Sequence, residues 1–587
     1  MQPDADKEDT HQTLRVLGIE EPKALLGRFP LFRGLPEPVL DAVAAELEWL
    51  SMPGGTRLFT RGEPSDAAYL VVSGSLAVLG RADRSVARIG AGGTAGEMGL
   101  IAGSSRTTTV VTLRDCELVR IPREAFERVL LGHPEALLRL ARLAVERLEG
   151  QRTTARTDPM PQTFTLVPAT AGVDIGGFAS ELTEALSRLG RCELVWSVRG
   201  RRHSSQWFHQ VESRNDFVVY AGETGDAPWT RLCVRQADVV LVAARPDDLP
   251  EHWPAAVDPA RDGACDWVLL HEAGFVPGAA ARCSALRPGM PVHHVRGRGD
   301  VARVARLLTG RGVGLVLSGG GARGFAHIGV MRALHEAGVP VDLVGGTSMG
   351  AIMGAGIALG WSIEEMTERF RRSFVDSNPL SDYTIPVFSL VSGNKVVRLL
   401  RREFGTASIE DLPLPYFCVS ADLTTGRLAT HQHGPLWQWL RASIAIPGVL
   451  PPVFLGGHVY VDGGAMNNLP VDIMRSLGRG PVIGVDVGAD ETFTSPGEAV
   501  DLPRPWQFGR WLQSLRGRPR ILQILWRAGM INSAAATALQ REQSDLLLHP
   551  PMNSLDLLDW RSFDHAIELG YRHALDALES APVQLFA

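Results

Sequence analysis

Between residues 56 and 121 the apolar residues fall into short runs, Thr56–Phe59, Ala68–Val72, Ser75–Leu79, Val86–Ile89 and Cys116–Ile121, punctuated by Gly62, Gly74 and Gly90. Runs of this length bounded by glycine predict a small all-β unit. One short helix is expected before it, Pro36–Leu50, and two after it within 123–149. The last carries Leu137, Leu138, Ala141, Ala144 and Leu148 at three- and four-residue spacing, a stripe that suits either the β unit or a partner helix, so a homodimer is left open.

From residue 163 the pattern changes. Apolar runs at Thr165–Pro168, Glu193–Trp196, Phe217–Tyr220, Ala237–Val242 and Trp267–Leu270 alternate with helix-like stretches, which predicts a parallel sheet. After its first strand, Pro168-Ala-Thr-Ala-Gly172 has neither the lysine of a phosphate loop nor the glycine triplet of a dinucleotide fold, so a structural or docking role is expected. A further α/β region opens with the buried-type strand Val313–Leu317. The predicted division is a tail at 1–27, a β domain at 28–150, a linker at 151–162, an α/β domain at 163–310, an α/β core at 311–490 and a helical extension at 491–587 that completes the core.

Composition narrows the function classes. Hydrophobic residues at 45% and charged residues at 21% of 587 belong to a folded globular chain, not to a collagen-like or disordered one. A net charge of -6 supplies no electrostatic footprint for nucleic acid, and no nucleic-acid partner is expected. Lysine appears only at Lys7, Lys23 and Lys395, so the positive charge is carried by arginine. The six cysteines are far apart without a C-x-x-C pair, which points to a reducing compartment and to no metal. The polar start MQPDADKEDTHQ is no secretory signal, and the longest uncharged stretch, Ser443–Val461, is broken by Pro447, Pro451 and Pro452. A cytoplasmic location is expected, with peripheral attachment to the inner face of a membrane left open.

The chemistry concentrates after residue 312. Gly346-Thr-Ser348-Met-Gly350 follows a strand and precedes a small-residue helix, Ala351–Leu359. A nucleophile on such a turn needs Gly346 and Gly350 to let the backbone pack closely, while the helix N-terminus favours developing negative charge. Upstream, Ser318-Gly319-Gly320-Gly321-Ala322-Arg323-Gly324 again joins a strand to a helix, and its amides suit an anion, either a pyrophosphate or the oxyanion of an acyl intermediate. These glycines satisfy G-x-G-x-x-G, but a dinucleotide site wants an acidic residue at the end of the next strand, and Asp342 stands at its beginning. No histidine with a local signature follows; His549, His565 and His573 come late in the chain. Asp462, at a strand end before Gly463-Gly464, is therefore the expected base, able to take the Ser348 proton directly.

Together, the glycine loop at 319–324, Gly346–Gly350, Ala442-Ser443-Ile-Ala-Ile-Pro447 and Asp462-Gly-Gly resemble the patatin-like phospholipases in order and spacing. The resemblance implies a Ser348–Asp462 dyad, an oxyanion hole from Gly319, Gly320, Gly321, Ala322, Arg323 and Gly324, and hydrolysis of carboxylic esters in lipids without a catalytic cofactor. Arg323 suits an anionic intermediate, a lipid phosphate or simply the holding of its turn. Ala305–Gly310, Val339–Ser348, Trp560–Tyr571 and Pro228–Asp238 are similar to the bacterial and animal relatives of neuropathy target esterase, a branch whose members act on lysophospholipids. Lysophospholipid or phospholipid is thus the implied substrate.

Gly96-Glu97-Met98-Gly99, with Arg106-Thr107 nine residues after the glutamate, resembles the phosphate cassette of cyclic-nucleotide-binding domains. A fixed guanidinium pairs with a cyclic phosphate and a carboxylate accepts from the ribose 2′-hydroxyl, so cAMP or cGMP is an expected allosteric ligand. The fold class implied is multidomain: an N-terminal β-barrel cyclic-nucleotide-binding domain, a middle Rossmann-like α/β domain without a phosphate loop, and a C-terminal patatin-like α/β hydrolase with a mostly parallel sheet. Phe508, Trp511, Leu512 and Leu515, then Ile521, Ile524, Leu525 and Ala528, form an arginine-flanked amphipathic pair that fits a membrane surface, a lid or packing on its own core. A nucleotide-binding scaffold without turnover is the rival reading.

Overall fold

The glycine-punctuated runs fold into two four-stranded antiparallel sheets. Eight strands contribute: β1 (Glu48–Met52), β2 (Arg57–Phe59), β3 (Ala67–Ser73), β4 (Ser75–Leu79), β5 (Ser85–Gly90), β6 (Thr94–Ala95), β7 (Thr109–Thr112) and β8 (Cys116–Pro122). Their spatial orders are β1-β8-β3-β6 and β2-β7-β4-β5. The computed structural model describes residues 25–488 and 533–580, apart from 28, 30–31, 34–35, 81–84, 133–160, 201–204, 226, 258–263, 273–275 and 386–387. Most of the expected tail and linker, the stripe at 137–148 and the amphipathic pair at 508–528 lie outside the described residues.

One expectation fails here. The helix expected over 36–50 spans only Glu37–Ala44, and residues 48–52 form β1 against β8. Trp49 packs into one apolar cluster while Leu50 and Met52 pack into another, a period of two that a strand satisfies and a helix does not. Arg120 of β8 bonds Glu48 across the pair at 2.7 Å, so cross-strand contacts override local helical preference.

In the same compact unit, residues 1–305, a parallel sheet is built from β9 (Thr163–Pro168), β10 (Cys192–Val195), β11 (Phe217–Ala221), β12 (Val239–Ala244), β13 (Ala264–Leu270) and β14 (Val292–Val295), ordered β10-β11-β9-β12-β13-β14. The sequence pattern concealed β14 because His293 and His294 interrupt its apolar run; both are buried, His293 within 2.9 Å of Asp266 and His294 within 3.0 Å of His271. The β unit and this sheet meet at a buried charge cluster. Ser75 donates to Asp238 at 2.6 Å, Arg114 lies 2.8 Å from Glu212 and 3.5 Å from Asp238, and Arg88 donates to the Asp238 carbonyl at 2.8 Å.

The second compact unit, residues 306–587, is built on one eight-stranded sheet: β15 (Gly314–Leu317), β16 (Leu343–Thr347), β17 (Tyr416–Asp422), β18 (Arg427–His431), β19 (Val453–Leu455), β20 (His458–Asp462), β21 (Val482–Val485) and β22 (Leu546–Leu548). The order is β19-β20-β17-β16-β15-β21-β22, with β18 beside β17. From β17 to β22 the path is parallel, whereas β18, β19 and β20 run antiparallel to their neighbours. The C-terminal extension thus adds a strand as well as the long helix Phe563–Ser580. Parallel β15 and β16 end side by side, which brings the two glycine loops to one carboxyl edge.

Candidate active site

Ser348 follows β16 directly and caps the helix Met349–Ala358 with φ 55°, ψ −123°, a backbone state that L-residues seldom adopt. The flanking glycines permit it: a Cβ on Gly346 would sit 2.7 Å from the Gly350 backbone, and one on Gly350 would sit 2.2 Å from the Leu317 carbonyl oxygen. The turn is therefore pressed against the strand next door, and its serine is held in one direction.

That direction is toward Asp462. Antiparallel pairing of β20 with β17 sets Asp462 opposite Ser420, one strand beyond the serine turn. The Ser348 Oγ donates to Asp462 Oδ2 at 2.7 Å, and Gly464 N–H donates to the other carboxylate oxygen at 2.8 Å. Both side chains are buried. Burial pushes the Asp462 carboxyl up to about 7, even though the hydrogen bonds from Ser348 and Gly464 favour its ionised form. A carboxylate tuned near neutrality has the basicity that a serine hydroxyl needs from a direct partner.

No imidazole intervenes. His327, buried beneath the glycine loop, lies 3.0 Å from the Ser318 carbonyl oxygen and is lowered by burial to about 4. His431 shares a 2.7 Å hydrogen bond with Ser420 and stacks on Trp439 with centroids 3.8 Å apart. His549 lies 2.7 Å from the Asp486 carbonyl oxygen and its N–H donates to His573 at 3.0 Å. None of these bonds reaches Ser348 or Asp462.

The glycine loop divides into donors that are engaged and donors that are not. Gly319 N–H donates to the Asn468 carbonyl at 3.4 Å, Ala322 N–H to Leu557 at 2.8 Å and Arg323 N–H to Gly320 at 3.2 Å. Ala322 was expected to face Ser348, but its amide is turned to Leu557 instead. Among the described residues none accepts from Gly320 or Gly321. Arg323 Nε donates to the Leu555 carbonyl at 2.7 Å, so this side chain ties the loop to residues 555–557. Gly324 lies in the short helical turn Gly321–Phe325. The dinucleotide alternative meets a direct obstacle, because Asp342 is buried and held bidentately by Arg306 at 2.9 and 2.6 Å.

Two residues that the sequence did not single out complete the site. Thr347 donates to the Asn467 carbonyl at 3.0 Å, and Asn468 Nδ2 donates to the Gly319 carbonyl at 3.2 Å. A Cβ built on Gly319 would lie 2.7 Å from Asn468 Oδ1 and 2.8 Å from Ser348 Cβ, so the amide and the serine flank the same point. Asn467-Asn468, five and six residues past Asp462, was the available signal.

In the β unit, Gly96 (φ 83°) caps the short helix Glu97–Ile101, and Glu97 is buried. Arg106 donates to the carbonyls of Gly96 at 3.0 Å and Ala67 at 2.8 Å and to Asp66 at 3.1 Å, with its guanidinium 4.2 Å from the Phe59 ring centre. The fold thus brings Gly96 and Arg106 together, with Asp66 on the guanidinium. Met98 and Gly99 continue the same helix, and Thr107 follows Arg106 on the exposed side. Among the described residues there is no cluster of three metal-ligating side chains, and no helix is long and apolar enough to cross a membrane.

Known families match three regions: patatin-like phospholipase at 315–475, cyclic nucleotide-binding domain at 49–133 and Neuropathy Target Esterase family P-loop like domain at 161–282. The chain is 31% identical to rat patatin-like phospholipase domain-containing protein 7 over 90% of its own length and 45% of the relative's. It is 30% identical to neuropathy target esterase sws of Drosophila melanogaster, covering 92% of this chain and 43% of that protein. Lysophospholipase NTE1 of Coccidioides immitis is 29% identical, over 93% and 41%. The chain therefore spans less than half the length of these curated relatives.

Proposed function

Because the chain belongs to the neuropathy target esterase branch of the patatin-like phospholipases and carries a cyclic nucleotide-binding domain, we propose that it hydrolyses carboxylic esters of lysophospholipids or phospholipids with Ser348 and Asp462. One observation carries the reading: a strained serine donates to a buried carboxylate at 2.7 Å, with no histidine among the described residues bonded to either. In the first half-reaction Asp462 accepts the Ser348 proton as Oγ attacks the ester carbonyl. The Gly320 and Gly321 amides stabilise the tetrahedral oxyanion. As the C–O bond breaks, the protonated Asp462 gives its proton to the departing glycerol oxygen and an acyl-serine remains. Water then attacks the acyl carbon, with Asp462 taking its proton; the acyl–Oγ bond breaks, Asp462 returns that proton to Ser348 Oγ, and free fatty acid leaves.

The test is turnover of lysophosphatidylcholine by the parent protein, Ser348→Ala and Asp462→Asn, together with labelling by a fluorophosphonate. Loss of turnover and labelling in Ser348→Ala is expected. A parent protein that neither labels nor releases fatty acid would leave the scaffold reading in its place.

The β unit is proposed to take cAMP or cGMP as a regulatory ligand, with Arg106 on the cyclic phosphate and Glu97 on the ribose. Support comes from the burial of both charged residues and their junction at Gly96. Asp66 already pairs with Arg106, so an incoming phosphate must replace a carboxylate. Calorimetry with each nucleotide, on the parent and on Arg106→Ala, decides the matter; equal heats from both proteins would remove the proposal.

A further inference from the structure

In the second unit the exposed large hydrophobic side chains are not scattered. Apart from Leu539, those described there are Tyr383, Ile385, Phe388, Leu423, Phe454 and Leu455, with Met466 beside them at the edge of the Asp462 turn. Ile385 is 81% exposed, Phe388 71% and Phe454 65%, levels that a folded domain does not adopt for want of room inside.

Strand register places them. Val419 of β17 lies opposite Thr347, and β17 runs on to Asp422, past the level of Ser348. Tyr460 pairs with Asp422, and Leu455 pairs with His458, so the β19–β20 turn projects beyond the carboxyl edge on which Ser348 sits. Phe454 and Leu455 occupy that tip, and Leu423 joins it through its N–H, which donates to Val459 at 2.8 Å. The other residues lie between Tyr383 and Val391, which form an antiparallel bridge with each other, residues 386–387 being outside the described ones. This stretch is bound to the chain near Asp462: Leu390 donates to Gly448 at 2.9 Å, and Ala445, three residues earlier, accepts from the Asp462 amide at 2.9 Å. Both stretches are thus rooted beside the Ser348–Asp462 pair, and their described apolar side chains are exposed.

The chemistry of the two stretches selects a partner. Neither 383–391 nor 453–461 contains an aspartate, glutamate, lysine or arginine. Exposed apolar side chains on two stretches without a charged residue offer nothing to an anionic surface. They match a neutral interface, in which apolar side chains gain by leaving water and the tyrosine hydroxyl remains at the headgroup level. We propose that the β19–β20 turn together with Tyr383, Ile385, Phe388 and Leu423 forms a docking rim that inserts into a zwitterionic phospholipid surface and places the Ser348 edge against it. The proposal rests on the reading of the substrate as a lipid ester, and it assigns membrane contact to residues other than the amphipathic pair at 508–528.

The experiment is flotation of the full chain with phosphatidylcholine vesicles, in a Ser348→Ala background so that binding is read without turnover. Ser348→Ala is expected to float in low and high salt alike, and Tyr383→Ser/Ile385→Ser/Phe388→Ser/Phe454→Ser in that background to lose about tenfold in bound fraction. With Ser348 restored, the four-residue variant keeps hydrolysis of a soluble short-chain ester within about twofold of the parent while losing about tenfold on vesicle-borne substrate. The milder pair Ile385→Ser/Phe388→Ser is carried through the same assays, so that a folding defect in the larger variant does not decide the outcome. Undiminished flotation of the pair and the four-residue variant overturns the rim, as does flotation that needs anionic lipid. A chain that floats through the rim yet hydrolyses no ester would overturn the proposed function and leave the rim; one that cleaves lysophosphatidylcholine without floating would do the reverse.

Discussion

Asp238, in the seam between the β unit and the six-stranded sheet, and Asp462, beside Ser348, are sealed from water to the same degree, 3% and 2% exposed. They titrate in opposite directions. Burial raises both, but Arg114 and Arg88 stand next to Asp238 and hold it well below the usual carboxylate range, whereas Asp462 has only a hydroxyl and an amide and is pushed up to about 7. The lesson is that burial alone makes a carboxylate a base, and that a nearby arginine makes it a structural anion. The charge cluster at Asp238 serves cohesion; among the described residues no cation bears on Asp462, which suits it to the proposed acceptance of a proton.

Replacing the two acids separates these roles. Asp462→Asn is expected to lower kcat by about 10²- to 10⁴-fold, while Asp238→Asn leaves kcat on a soluble ester within about twofold; steady-state kinetics on both variants reads the difference. Removing the cation has the converse effect. Arg114→Ala leaves Asp238 and Glu212 buried without their guanidinium and is expected to destabilise the first unit by about 3–5 kcal/mol in denaturant titrations. The stabilising share of Asp238, whose folded pKa is depressed, is present above its unfolded value of 3.8 and fades as pH falls below it.

Asp462 has the opposite linkage. Its folded pKa of about 7 exceeds the unfolded 3.8, so ionisation favours the unfolded chain increasingly between those values and by a constant amount above them. Asp462→Asn is therefore expected to raise stability at pH 8 by about 1–3 kcal/mol and to lose that gain toward pH 4, a trade of stability for activity visible in thermal scans. The same ionisation governs turnover: kcat/KM is expected to fall about tenfold per unit as pH drops below 7. The smallest effect belongs to Asn468→Ala, which frees the Gly319 carbonyl without touching the proton path and is expected to cost about three- to tenfold in kcat with the pH profile unmoved.

What the sequence made legible follows from steric demand. Gly346 and Gly350 stand where backbone presses on backbone, and no other residue fits, so the serine turn was visible as a motif. Asp462 was readable only through the order of motifs, since its position opposite Ser420 depends on an antiparallel strand inserted beside a parallel sheet. Asn467 and Asn468 escaped notice because a backbone carbonyl that accepts from Thr347 and a single side-chain amide that donates to the Gly319 carbonyl leave no periodicity behind. Elsewhere, buried histidines disguised β14, and tertiary pairing turned the end of an expected helix into β1.

The bracing of the glycine loop has a bearing on how small a piece could keep the site intact. The glycine loop, the Ser348 turn and the Asp462 turn all lie before residue 475, where the patatin-like match ends. Yet the Leu557 carbonyl occupies the space beside Gly321 and accepts from Ala322, and the Leu555 carbonyl anchors Arg323. A fragment trimmed to its motifs would keep Ser348 and Asp462 while surrendering the wall that holds the glycine loop. The minimal working piece is set by that remote support, not by the signature it carries.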